Sequence, residues 1–221
     1  MDMDLTGILK FLASLTKNNN REWFEKNKDI YLEAKSAFDD FLEKFHKEAV
    51  KFDSSLAGLN PRKQAFRIYR DVRFSKDKRP YKVNMGAGFS RGGKMEQEPG
   101  YYLHVEPGNC FVAAGMYMPD SGNLAKIRQE IDYSPQRLKK ILAARSFKKF
   151  FNGFDDFDKV KTAPKGYPKD HPQIEFLKHK SFIVSHAFSD SEVKRADFFK
   201  KVAEVCRAAK PLNDYLNEAI A

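Results

Sequence analysis

The chain has 221 residues, with 40 Lys and Arg against 30 Asp and Glu, and 42% hydrophobic residues that include 20 Phe. That apolar supply excludes wholesale disorder and suffices for a core without disulfide or metal staples, and no apolar run approaches the roughly 18 residues of a membrane span. The formal net charge of +10 suits anionic partners, nucleic acid or a phosphorylated molecule, and equally suits a merely solubilising surface.

The opening MDMDLTGILKFLASL is acidic and helically spaced, which is not the pattern of a signal peptide, and predicts a soluble, cytoplasmic protein. Leu5, Ile8, Leu9, Leu12 and Leu15 form one helical stripe, with Thr6 as the expected N-cap. Asn20 is expected to cap a second, long helix from Arg21 to Val50, in which Trp23, Phe24, Tyr31, Ala34, Phe38, Phe41, Leu42 and Phe45 form the core stripe. After a turn at Gly58–Pro61, residues 64–74 alternate as a strand does. Phe66, Ile68, Arg70, Val72 and Phe74 share one face; Arg67, Tyr69, Asp71 and Arg73 share the other. Residues 81–89 are again extended. Gly100–Glu106 and Cys110–Met118, joined by Pro107-Gly108-Asn109, read as a hairpin.

Helical spacing returns over Leu124–Ile131, and Ser134-Pro135 opens a further helix to Ala144. Ala163–Pro172 is a Pro/Gly loop, Ile174–His179 a short helix and Ser181–Phe188 a last strand. Ser189 and Glu192 form a capping box before a helix over Ser191–Ala209, which Pro211 is expected to end. The order predicts one α+β domain over residues 1–221, with a mostly antiparallel sheet of about four to six strands flanked by N-terminal and C-terminal helices.

The strings NNNREWFEKNKDIYLEAK (18–35), FRIYRDVRFSKDKRPYK (66–82), PGYYLHVEPG (99–108) and PKGYPKDHP (164–172) occur in the same order as in a family of unknown function, domain of unknown function 2461, which the chain resembles over nearly its whole length. The resemblance implies a single domain and occurrence in bacteria and fungi. It implies no activity, cofactor or catalytic residue.

Three constellations bear on chemistry. The stretch 67–82 is basic and aromatic: Arg67, Tyr69, Asp71 and Arg73 in one row, with Lys82 beyond, suit an anion held by guanidinium forks; the structural alternative is an internal ion-pair network. Tyr102, His104 and Glu106 share one strand face, so His104 and Glu106 are candidate acid/base groups, or simply a satisfied surface histidine and its neighbour. Lys165 and Tyr167, with His171, sit in a loop rigid enough to complete a pocket.

No metal site is expected, because His46, His171, His179 and His186 lack ligand spacing. No cofactor motif is present: there is no P-loop, no G-x-G-x-x-G and no G-x-S-x-G. Cys110 and Cys206 have no activating surroundings. The expected function is binding, with turnover left open, of an anionic, phosphorylated small molecule by Arg67, Tyr69, Asp71, Arg73, Lys82, Tyr102, Lys165 and Tyr167. The alternatives are a nucleic-acid binder, which would stack bases on a Tyr/Arg sheet, and a protein-interaction module without catalysis.

Overall fold

The computed structural model describes residues 5–95 and 97–221. Helix α1 (Thr6–Lys17) buries Ile8, Leu9, Leu12 and Leu15, which with the buried Leu5 ahead of it make the stripe that spacing predicts, and it buries Phe11 as well. Thr6 is its first residue rather than its cap. The Asn20 side chain accepts a hydrogen bond from the Trp23 amide and caps α2 (Arg21–Lys26). The expected single long helix is two: Asn27 separates α2 from α3 (Lys28–Ala49), and its side-chain amide donates to the Trp23 carbonyl at 2.8 Å. A local side-chain bond of this kind competes with helix continuation.

The sheet is antiparallel in the order β1 (Met85–Ser90), β2 (Gly100–Val105), β3 (Cys110–Met116) and β4 (Phe182–Phe188). The predicted hairpin is β2–β3. Between β3 and β4 lie α4 (Ser121–Tyr133), α5 (Pro135–Ala143), α6 (Arg145–Lys148) and α7 (Ile174–Leu177). After β4 come α8 (Asp190–Val193), with the predicted capping box formed at Ser189 and Glu192, and α9 (Phe198–Ile220).

Pro211 does not end the last helix but sits inside α9. A proline removes one amide bond, to the Arg207 carbonyl, and crowds that carbonyl. Both residues are exposed, whereas Val205, Cys206, Ala209, Leu212, Tyr215 and Leu216 are buried on the same helix. Burial of that face holds the helix together across the break.

Strand alternation divides the sheet. Ala87, Phe89, Tyr101, Leu103, Val112, Ala114 and Val184 pair across the strands on one face and are all buried. Helices α3 and α9 pack together over this inner face: the Phe45 ring lies 5.2 Å from Phe89, and Phe198 5.0 Å from Phe188. The Tyr101 hydroxyl, directed inward, donates to the buried Asp53 carboxylate at 2.8 Å. No helix among the described residues is long and apolar enough to cross a membrane.

Residues 64–74 are not a regular strand. Ala65 bridges to Ala87 and Tyr69 to Tyr81, and the Phe66 amide donates to the Gly86 carbonyl, so the segment only touches the outer edge of β1. Beyond that its polar side chains turn back on their own loop. Asp71 accepts from the Arg73 amide and guanidinium, Asp77 from Arg79 and Arg70, and Lys78 donates to the Val72 carbonyl. Such bonds replace a ladder. The face expected to be uniform is split accordingly: Ile68 is buried and Phe74 fully in solvent.

Candidate functional site

Among the described residues, no α-helix lines the hollow on the outer face of the sheet. Its floor is Tyr102 on β2, Phe111 and Ala113 on β3, and Ile183 and Ser185 on β4. The segments that touch the two sheet edges raise its walls. Phe66 stands at the β1 edge with Lys94 and Met95; Asp155, whose amide donates to the Ile183 carbonyl, stands at the β4 edge with Phe157 and Tyr117. The groove encloses about 560 Å³. Tyr117 and Phe157 stack at 6.1 Å. Burial pushes the Asp155 carboxyl above its usual range, against the lowering effect of Ser185.

Tyr102, His104 and Glu106 occupy successive outward positions of β2 and its end, and they are joined. The Glu106 carboxylate accepts from His104 Nε2 at 2.9 Å; in a neutral ring this leaves Nδ1, 3.0 Å from the Tyr102 hydroxyl, as the acceptor. Asn109 donates to the same Glu106 oxygen at 2.9 Å, and the Phe111 ring stacks on the imidazole. Of the three, only Tyr102 lines the groove. Burial pushes its phenol up to about 12, with the Asn84 amide opposing. Its ring leans across β1 at Gly86, where a Cβ would come within 2.7 Å of the hydroxyl oxygen. Only glycine gives this ring its place.

Cations gather beside Tyr102. The Phe66 ring is 6.1 Å from that of Tyr102, and the Lys82 and Lys94 ammonium groups lie 5.6 and 5.7 Å from the Phe66 centroid. Desolvation, then Arg67 and Lys94, lower the Lys82 ammonium from its ordinary value. Among the described residues, none of Arg67, Lys82 and Lys94 has a carboxylate at ion-pair distance. Their neighbours are paired: Arg62 with Asp40 and Glu43, Arg70 and Arg79 with Asp77, Arg73 with Asp71. A second, smaller hollow of about 290 Å³, lined by Lys35, Arg62, Arg67 and Tyr69, shares Phe66 and Lys94 with the groove.

The structure therefore brings Arg67, Lys82, Tyr102, His104 and Glu106 into one neighbourhood. Tyr69 faces the smaller hollow and packs on Phe24 and Tyr81. Asp71 and Arg73 pair with each other in solvent. Lys165 and Tyr167 lie away from the sheet: Tyr167 packs on His171, which bonds Asp132 of α4 at 2.9 Å, and Lys165 is exposed. Lys94, Met95, Phe111, Asp155, Phe157 and Ile183 were not singled out from sequence. The hairpin register alone sets Phe111 beside His104, so that residue was within reach of the sequence; the others depend on contacts distant along the chain.

Both cysteines are buried, and burial raises each thiol, Cys110 to about 11. Among the described residues, no three His, Cys, Asp or Glu side chains converge as metal ligands.

Residues 7–215 match the family model described as conserved hypothetical protein (DUF2461). The chain belongs to that family. No curated protein and no solved structure matches it. The DUF2461 match spans both the groove-bearing sheet and the helices that back it, so the site lies wholly within the family's domain.

Proposed function

We propose that the protein binds a small anionic, phosphorylated molecule in the groove on the outer sheet face. The apolar body of the ligand rests on Phe111, Ala113 and Ile183, and its charged group meets Lys82, Lys94 and Arg67 around Phe66. One observation carries this reading: three cations without a carboxylate at ion-pair distance among the described residues gather about Phe66 at the edge of an apolar groove, Lys94 lining the groove, Arg67 the adjoining hollow and Lys82 lying against the Phe66 ring. The groove falls within the volume range of small-molecule sites, a few apolar walls with a small number of placed polar groups. A cation such as Lys82, which burial desolvates, gains most from an incoming anion.

The test is calorimetry with phenylphosphonate against neutral benzyl alcohol. Phenylphosphonate binds and benzyl alcohol does not. Lys82→Met weakens binding by about 10- to 100-fold, the worth of one charged hydrogen bond. Lys165→Ala, far from the groove, leaves affinity unchanged. Equal binding of the neutral compound, or tight salt-sensitive binding of short RNA or DNA in place of the phosphonate, overturns the reading.

A further inference from the structure

We propose that Tyr102, His104 and Glu106 form a proton relay that makes the groove a hydrolytic site for phosphate esters. The inference rests on the binding reading above and adds chemistry to it. Three features point to a working relay rather than a decorative row of polar groups.

The first is direction. Glu106 can only accept, so His104 Nε2 donates; in the neutral ring Nδ1 is then a base that faces the Tyr102 hydroxyl at 3.0 Å and, more distantly, the Asn84 amide at 3.4 Å. An oxygen whose proton is drawn toward a base, itself oriented by a carboxylate, is the arrangement of an activated nucleophile or base. The second is rigidity. Asn109 fixes Glu106, Phe111 stacks on the imidazole, and the absence of a side chain at Gly86 leaves the phenol its seat. The third is place. Tyr102 is the member that lines the groove, and Phe66 brings it within a small molecule's reach of the Lys82 and Lys94 ammonium groups. Charge developing on a phosphoryl group there meets fixed cations.

The step balances with water as the co-reactant. A water between Tyr102 and the phosphoryl group gives a proton to the phenol oxygen as the phenol proton passes to His104 Nδ1, and Glu106 steadies the resulting imidazolium. The water oxygen forms a bond to phosphorus, and the bond from phosphorus to the ester oxygen breaks. The proton on Nδ1 returns through Tyr102 to the leaving alkoxide. The products are inorganic phosphate and an alcohol, and the relay regains its starting state. Tyr102 is the catalytic residue in this scheme; His104 takes up its proton, and Glu106 is a positioning residue.

The experiment follows release of 4-nitrophenolate from 4-nitrophenyl phosphate, with phenylphosphonate binding measured beside it on the same full-length samples. The expected result is turnover by the wild type, a loss of at least about 100-fold in Tyr102→Phe and in His104→Gln with phosphonate affinity retained, and a fall in kcat without change in KM for Glu106→Gln. Tyr102→Phe keeps the ring; should it fail to fold, His104→Gln and Glu106→Gln carry the test. Phosphonate binding without wild-type turnover, or undiminished turnover in the variants, overturns the relay and leaves the binding reading intact. Absence of both binding and turnover overturns the two together.

Discussion

The His104 imidazole lies almost flat on the Phe111 ring of the neighbouring strand, with centroids 4.6 Å apart and 15° between the planes. Phe111 thereby serves two structures at once, the floor of the groove and the orientation of the histidine. Phe111→Ala is expected to lower stability by about 1 to 2 kcal/mol, the worth of a half-buried aromatic contact. It is also expected to abolish phenylphosphonate binding. Calorimetry and denaturant titration of the variant check both; undisturbed binding would place the ligand elsewhere.

Gly86→Ala sets a methyl group 2.7 Å from the Tyr102 hydroxyl oxygen. Because β1 is otherwise regular there, the expected outcome is a folded protein with the Tyr102 ring displaced and the Tyr102–His104 hydrogen bond lost. NMR of the His104 ring reports that bond directly. In a Tyr102→Phe background, where the oxygen is gone, the same glycine substitution is expected to cost less stability, and a double-mutant cycle measures the difference.

His179 is buried against Phe154 and Phe182, and burial, with Lys159 adding to it, pushes its imidazole from 6.5 down to about 4. The unfolded chain protonates this ring as pH falls through 6.5, while the folded chain holds it neutral to about pH 4. The folded state therefore keeps its full advantage above that window and loses it as pH drops through it, by about 2 to 3 kcal/mol at the lower end. Denaturant midpoints of wild type and His179→Gln at about pH 7 and about pH 4.5 are expected to differ in this sense, with the variant showing the shallower fall. Parallel pH dependences would exclude His179 as the source.

Pro211 occupies an exposed interior position of α9. Pro211→Ala restores the amide bond to the Arg207 carbonyl and removes the ring crowding, so it is expected to raise stability by about 1 to 3 kcal/mol. Chemical denaturation decides. An unchanged or lower stability would mean that the helix has been shaped around the proline.

The helices, the β2–β3 hairpin and β4 were legible because periodicity and caps are local: Asn20, the Ser189–Glu192 box and the Pro107-Gly108-Asn109 turn all act where the sequence places them. The break at Asn27 comes from a local side-chain bond that helical spacing does not register, and two other misreadings lie beyond periodicity altogether. Residues 66–74 alternate like a strand, but alternation cannot reveal that Asp71 and Asp77 would turn the local arginines back onto the loop. Pro211 reads as a stop, but a local rule cannot weigh the burial of Leu212, Tyr215 and Leu216 beyond it. In the site, Tyr102, His104 and Glu106 were visible as a row of equal parity. The groove itself was not, because Phe66, Asp155 and Ile183 come from segments far apart in the chain and meet only in the folded sheet.

The pairing of α3 with α9 over the inner face of the sheet has a consequence for how the protein is made. Helices α1 to α3 and the β2–β3 hairpin can form early from contacts within their own stretch of chain, yet the inner side of β3, Val112 included, has no complete cover until residues 198–220 have left the ribosome and docked. A nascent chain halted short of α9 would offer an apolar sheet face to chaperones and proteases. Limited proteolysis of stalled chains should show the strands becoming resistant in one step when α9 emerges, so that protection of the sheet is acquired all at once.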